Sequence, residues 1–375
     1  MKALATVGRT VIIHKDRFAY NAHPSITSLG DGEWLAVFGH SRRRERIMHP
    51  PSDPLFRHLL TRTSDGGGTW EEPYFVPDFD WSGVECPGIS QLSNGTVVLT
   101  QFRFGWYPLG LAKKRRAAGE HISIRLPGRG WTEDFTDDDW DRSEFSWARF
   151  GYHGLYAHLS TDGGHTFDNT VKIDCSPYRN GFTRTGVVEL QDGRIASAFT
   201  EHHRWPGRYT YILFSSTGGQ SWDPPILVVE SPDFAFCEPD IAEVAPGEIY
   251  CILRTISRGG YLYGCRSLDG GQSWSVPEAT PMFGHPGHLL VLRDGRLLCT
   301  YGRRTAPFGI RACLSEDGGR TWAIDQELTI REDLPNRDLG YPATVEYAPS
   351  RLFSCYYGQD LDGVTCIQGT HVTLT

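Results

Sequence analysis

The sequence predicts an all-β chain, a six-bladed β-propeller. Three observations predict it: a turn-rich composition, one glycine-centred phrase repeated five times, and a hairpin phrase repeated six times. Among 375 residues there are 42 Gly, 23 Pro and 11 Trp but only three Met, a balance that suits short strands and tight turns rather than helix bundles. The first phrase is TSDGGGTW (63–70), STDGGHTF (160–167), SSTGGQSW (215–222), SLDGGQSW (267–274) and SEDGGRTW (315–322). Its acidic side chain bonds back to turn amides, its glycines supply positive φ, and its aromatic residue plugs between sheets. Thr217 replaces the acid in the third copy, and its hydroxyl makes a weaker form of the same turn.

The second phrase supplies the other half of each blade. It turns at Asp31-Gly32, Asn94-Gly95, Asp192-Gly193, Pro246-Gly247, Asp294-Gly295 and Pro349-Ser350, with an apolar strand on either side. A hairpin followed by a glycine-phrase hairpin makes a four-stranded sheet, and six such sheets arranged radially leave few exposed edges. The last hairpin has no phrase after it, so the N-terminal run LATVGRTVIIH is expected to complete blade six and close a single domain. Blade two carries the longest interruption, residues 105–157, with KKRR (113–116) and DFTDDDWDRSEFSW (134–147); it reads as a lid or wall beside the mouth, or as a solvated decoration.

Charge and motifs exclude several classes. A net charge of -8 gives no general attraction to nucleic acid or to an anionic membrane, and no run of eighteen apolar residues encodes a membrane span. Nine scattered cysteines without a CxxC pair suit a reducing compartment, and the N-terminus lacks an apolar signal core. A cytoplasmic protein is therefore expected, with a trimmed secreted form as the alternative. The absence of HExxH, of a phosphate loop with its Lys and of a dinucleotide fingerprint predicts neither a metal nor a cofactor.

Aligning the six hairpins on their turns locates the chemistry. Eight residues before each turn stand His23, Cys86, Arg184, Glu238, Pro286 and Tyr341, with Glu85 and His285 one residue earlier. Just beyond the returning strands stand His40, Arg103, Glu201, Arg254 and Arg303, with His202 and Arg304 adjacent. Both columns lie at the hairpin end opposite the turn. Ionisable side chains in register there, beside Pro24, Pro87, Pro239 and Pro342, fit a funnel-shaped site at the axis; the alternative is ordinary ion pairing between blades.

On these residues the chain resembles the sialidase superfamily of six-bladed propellers, whose Asp boxes the five glycine phrases match. The resemblance covers nearly the whole chain. CEPDIAEVAPGEIYCILRT supplies the family's Glu-Pro and following Arg as Glu238 and Arg254, and LGYPATVEY supplies its tyrosine as Tyr341. A further family arginine falls in GRRTAPFGIRAC, which holds Arg303, Arg304 and Arg311. The resemblance implies an exo-glycosidase for a terminal acidic sugar, with Tyr341 as nucleophile, Glu238 as its base and arginines clamping the carboxylate. It departs in blade one, where Ala22-His23-Pro24 replaces Arg-Ile-Pro. The general-acid aspartate has Asp53 and Glu45 as weak counterparts, while His23 and His40 are better placed by register.

The expected site is thus Tyr341, Glu238, His23 and His40 for catalysis, with Arg254, Arg303, Arg304, Arg184, Glu85, Arg103, His202 and His285 binding an acidic sugar or oligosaccharide. Histidines at the rim also suit a uronate-directed lyase using His or Tyr as acid and base, or another glycosidase; His288 can face either way. A non-catalytic glycan-binding propeller is the remaining reading.

Overall fold

A computed structural model describes residues 5–44, 53–77, 82–201, 209–231, 236–255 and 259–375. Six antiparallel blade sheets follow one another along the chain in the order of the six hairpins, with blade three opening on the short strand Val188–Glu189. Blade one is Ala19–Gly30, Glu33–Arg42, Arg57–Thr63 and Tyr74–Phe75; blade four is Phe236–Ala245, Glu248–Thr255, Tyr261–Ser267 and Glu278–Phe283. In blade six the strands Gly340–Ala348, Arg351–Gln359 and Thr365–Leu374 are completed at the outer edge by Ala5–His14, so the first strand closes the ring as expected. The innermost strands surround the axis: Thr27, Gln91, Glu189, Glu243, Val291 and Val345, one from each blade, line a common cavity of about 450 Å³.

Neighbouring blades are latched at their turns by side chains that satisfy backbone amides. The Ser93 amide donates to Glu189 at 2.7 Å, Gln191 to Glu243 at 2.6 Å and Arg293 to Glu346 at 2.6 Å. Aromatic and aliphatic residues fill the spaces between sheets. Gly67 shows how closely they pack: at φ +86°, a Cβ there would come within 2.6 Å of the Trp34 ring. All nine cysteines are free and buried. No helix among the described residues is long and apolar enough to cross a membrane.

The glycine phrases behave as their chemistry requires. Asp65 accepts from the Gly68 amide at 2.8 Å, the Thr69 amide at 2.9 Å and the Thr69 hydroxyl at 2.8 Å. Thr217 accepts only one amide hydrogen bond, from Ser221 at 2.8 Å. Thr217→Asp is therefore expected to stabilise the protein by ~0.5–1.5 kcal/mol, read as a thermal midpoint raised by ~1–2 °C in a chain of this size. A lowered midpoint would show that the third turn does not admit the acid's contacts.

The blade-two insertion is a small folded unit. Strands Val97–Pro108 and Trp147–Ser160 stay paired out to Pro108 and Trp147, and between them lie a helix (Leu109–Ala117), a short hairpin and a 3-10 turn (Asp137–Arg142). Ala112, Ile122, Ile124, Leu126, Phe135, Trp140 and Ala148 form its own core. The KKRR run serves this unit. Arg115 binds Glu120 at 3.0 Å, and the Arg116 guanidinium lies 3.5 Å from the Phe135 ring centre. Its Trp147 ring packs 5.4 Å from the Arg44 guanidinium of blade one.

Candidate active site

The site is built from one local device used in three blades. In the innermost strands of blades one, four and six the pairing register breaks between Ala22 and Ser25, Cys237 and Asp240, and Gly340 and Ala343. Each break holds an X-Pro pair whose proline cannot donate to the ladder, so the strand bulges and throws out the residue before it. Those residues are His23, Glu238 and Tyr341, at φ 56°, 48° and 49°. Non-glycine residues rarely occupy this region, and such strain persists where the surroundings over-determine it, as at active sites. Blade two breaks between Ser82–Val84 and Gly88–Gln91, leaving Glu85-Cys86-Pro87 at the equivalent place.

The bulges converge. The Tyr341 hydroxyl donates to Glu238 Oε1. Arg254 Nη1 donates to both Glu238 oxygens, at 2.8 and 2.7 Å, and approaches the Tyr341 oxygen at 3.4 Å. The His23 ring meets the Tyr341 ring edge-on at 4.3 Å. Arg304 donates to the Leu339 carbonyl at 2.9 Å and the Tyr357 hydroxyl at 3.2 Å, with its guanidinium 5.4 Å from the Tyr341 ring centre. Among the described residues Arg254 Nε is buried without an acceptor, and the hydrogen bonds of the two arginines leave Arg254 Nη2 and Arg304 Nη1 unused. Tyr341, Glu238, His23 and Glu85 are buried, while Arg254, Arg304 and His285 are partly exposed above them.

Electrostatics separates the two carboxyl groups. Burial pushes the Glu238 carboxyl up, but the Arg254 charge, with hydrogen bonds from Arg254 and Tyr341, holds it below the ordinary range. Burial and then the Glu238 charge push Glu85 well above that range. The surroundings thus push the two carboxyl groups in opposite directions. Burial, then Glu238, also raises the Tyr341 phenol, so at rest it is a neutral hydroxyl bonded to a carboxylate base. Burial, then Arg254 and Arg304, push His285 down to about 3, leaving it uncharged.

Of the residues expected from sequence, the structure brings together Tyr341, Glu238, Arg254, His23, Arg304 and Glu85, with His285 beside them. Arg184 lies against the Tyr341 ring at 5.6 Å, but its Nη1 and Nη2 donate to the Gly287 and Pro342 carbonyls at 2.6 and 2.7 Å, tying blades five and six. Other residues stand apart. His40 pairs with Asn21 at 2.8 Å and packs on His14 and Phe75. Arg103 bonds the Pro77 carbonyl and Gln101, both at 2.6 Å, inside blade two. Arg303, the last residue of its strand, lies beside Arg311, whose guanidinium faces Glu327 and Glu332 at 3.6 Å. Glu201 accepts the Arg179 amide at 3.0 Å. Asp53 is fully engaged by Arg44 at 2.7 Å, Ser41 at 3.0 Å and the Leu55 amide at 3.0 Å, which leaves it a structural anchor. His202 and Glu45 lie outside the described residues.

Sequence reasoning missed Tyr357, Tyr20 and Asp338. Tyr20 and Tyr357 both donate to Asp338, at 3.0 and 3.1 Å, and the Tyr357 ring lies 5.3 Å from His23. Tyr357 follows its turn by the same interval as Arg254, so extending the column to blade six finds it. Arg337, which acts electrostatically on His285, carries no such signal.

The BNR repeat-like domain family matches residues 142–353. A search of curated proteins found no match. Among solved structures, a Dyadobacter fermentans protein of unknown function superposes with a TM-score of 0.81 at 24% identity, covering 99% of this chain and 100% of that one. The NanB sialidase of Streptococcus pneumoniae superposes at 0.70 with 13% identity, over 98% of this chain and 71% of that one. A Penicillium chrysogenum α-L-arabinanase gives 0.63 at 13% identity, over 98% of each chain. At such identities the likeness is one of fold, and that fold is shared with glycoside hydrolases. The match over more than half of its length, on a six-bladed ring divergent in sequence from the sialidases, makes the chain a member of the BNR repeat-like domain family.

Proposed function

We propose that the protein is a glycosidase acting on a terminal acidic sugar, with Tyr341 as nucleophile and Glu238 as its base. The observation that carries this reading is the triad in which the Tyr341 hydroxyl donates to a buried Glu238 carboxylate fixed by Arg254. As the phenol proton passes to Glu238, the phenolic oxygen bonds to the anomeric carbon, and the glycosidic bond breaks with its electron pair on the departing oxygen, which takes a proton from an incoming water. The hydroxide so formed then displaces Tyr341, whose phenolate recovers its proton from Glu238, giving net retention. A neutral hydroxyl avoids the repulsion that a carboxylate nucleophile would suffer from an acidic sugar. The unpaired donors of Arg254 and Arg304 fit the sugar carboxylate.

The His23 ring against Tyr341 favours one second reading, β-elimination at a uronic acid, with Tyr341 or His23 removing the proton next to the carboxylate. A panel of chromogenic sialosides, uronides and neutral arabinosides tests both. Release of a reducing acidic sugar is the expected result. Absorbance from an unsaturated product would replace hydrolysis by elimination, and cleavage of neutral glycosides alone would reject both readings.

A further inference from the structure

We propose that His23, Glu85 and Cys86 form a site for a borderline-soft divalent cation, zinc in particular, beside the axial cluster. One imidazole nitrogen, one carboxylate oxygen and one sulfur lie within 4.8 Å of one another, and all three residues are buried. Imidazole, carboxylate and thiolate are the donor types that zinc prefers, and three protein donors with a fourth position left to water or substrate is the pattern of a catalytic rather than a closed structural site. Metal–ligand distances of roughly 2.0–2.3 Å set tetrahedral donors about 3.5 Å apart, so small rotations close the site around an ion.

The donors come from the bulge of blade one and the matching gap of blade two, both followed by proline. The backbone that presents them is held by the pairing on either side. This origin also explains why no short ligand motif exists: sixty-odd residues separate His23 from its partners. Two arginine charges act here, Arg184 and Arg254 on Cys86 and Arg254 on Glu85, and the protein offsets them in part. Arg254 is neutralised by both Glu238 oxygens, and Arg184 donates to two backbone carbonyls. Burial, and after it the neighbouring carboxyl charges, Glu238 among them, push the Cys86 thiol and the Glu85 carboxyl up, so a metal entering here displaces their protons. A cation here would face the Tyr341 ring, which His23 touches, and offer its open position to an oxygen of the sugar.

The test measures metal and not turnover, so it stands or falls apart from the glycosidase reading. Protein stripped with chelator is loaded with Zn²⁺ or Co²⁺, desalted and assayed for bound metal. About one equivalent should be retained, and the cobalt form should show a thiolate-to-cobalt charge-transfer band. Cys86→Ser should abolish that band, and Cys86→Ser and His23→Ala should each weaken retention by about tenfold or more. Cys313→Ser, in blade five, should change neither. Thermal unfolding without metal verifies that each variant is folded, and wild type and Cys313→Ser should gain stability on zinc addition. Failure of wild type to retain metal, or equal retention by a folded Cys86→Ser/His23→Ala double variant, overturns the proposal.

Discussion

Tyr341→Phe is expected to lower kcat by on the order of 10³-fold or more and to leave the ring folded. The substitution removes one oxygen and preserves the ring that packs on His23 and Tyr357. Glu238 loses a hydrogen bond but keeps Arg254 at both oxygens, so no charge is stranded and the stability cost is about 1 kcal/mol. The two readouts therefore separate. A folded, inactive Phe variant supports Tyr341 as the reacting group, whereas a folded variant with near wild-type turnover rejects it. With an activated substrate the wild type should accumulate a covalent adduct on Tyr341, detectable by mass in the intact protein; a lyase using the same residue as a base would not.

How much of this is legible in the sequence depends on how local each cause is. Turn residues and alternating apolar strands are local, so the six hairpins and the strand that closes the ring could be counted from the chain. Polar residues before prolines at strand starts are also local, which is why His23, Glu238 and Tyr341 were found. The face on which a side chain emerges is less local. The bulge after Ala22 restores pairing only at Ser25 and leaves His40 opposite Asn21; a register change of one residue moves a side chain to the other face. The same uncertainty made Arg303 and Arg304 indistinguishable, though only Arg304 reaches Tyr341. Partners distant in sequence were not readable at all. Arg184 and Arg103 are committed to carbonyls and Gln101, and Cys86 joins His23 and Glu85 only when two blades are placed side by side.

Arg254→Ala is expected to produce the largest combined effect, because Arg254 answers to both stability and chemistry. Truncation leaves Glu238 buried without its counter-charge, a change that costs about 3–5 kcal/mol in comparable buried pairs. The protein can relieve that cost by protonating Glu238. With Arg254 present the carboxyl is held below its ordinary range; without it, burial acts unopposed by that charge and the folded-state value rises. The sign of the consequence follows. A raised carboxyl favours the protonated folded state, so the variant should lose stability as pH increases through the raised value. Its residual activity should move the other way, rising with pH as Glu238 regains the form that accepts the Tyr341 proton. Arg254→Lys should restore most of the stability but not the substrate affinity, since one ammonium cannot hold Glu238 and a sugar carboxylate as a guanidinium fork can. Arg254→Ala combined with Glu238→Gln should recover stability while remaining inactive at every pH. Unfolding midpoints and kcat profiles for these three variants decide the matter: if Arg254→Ala keeps wild-type stability and an unshifted profile, the arginine does not set the charge of Glu238, and the base assigned to Tyr341 must be sought elsewhere.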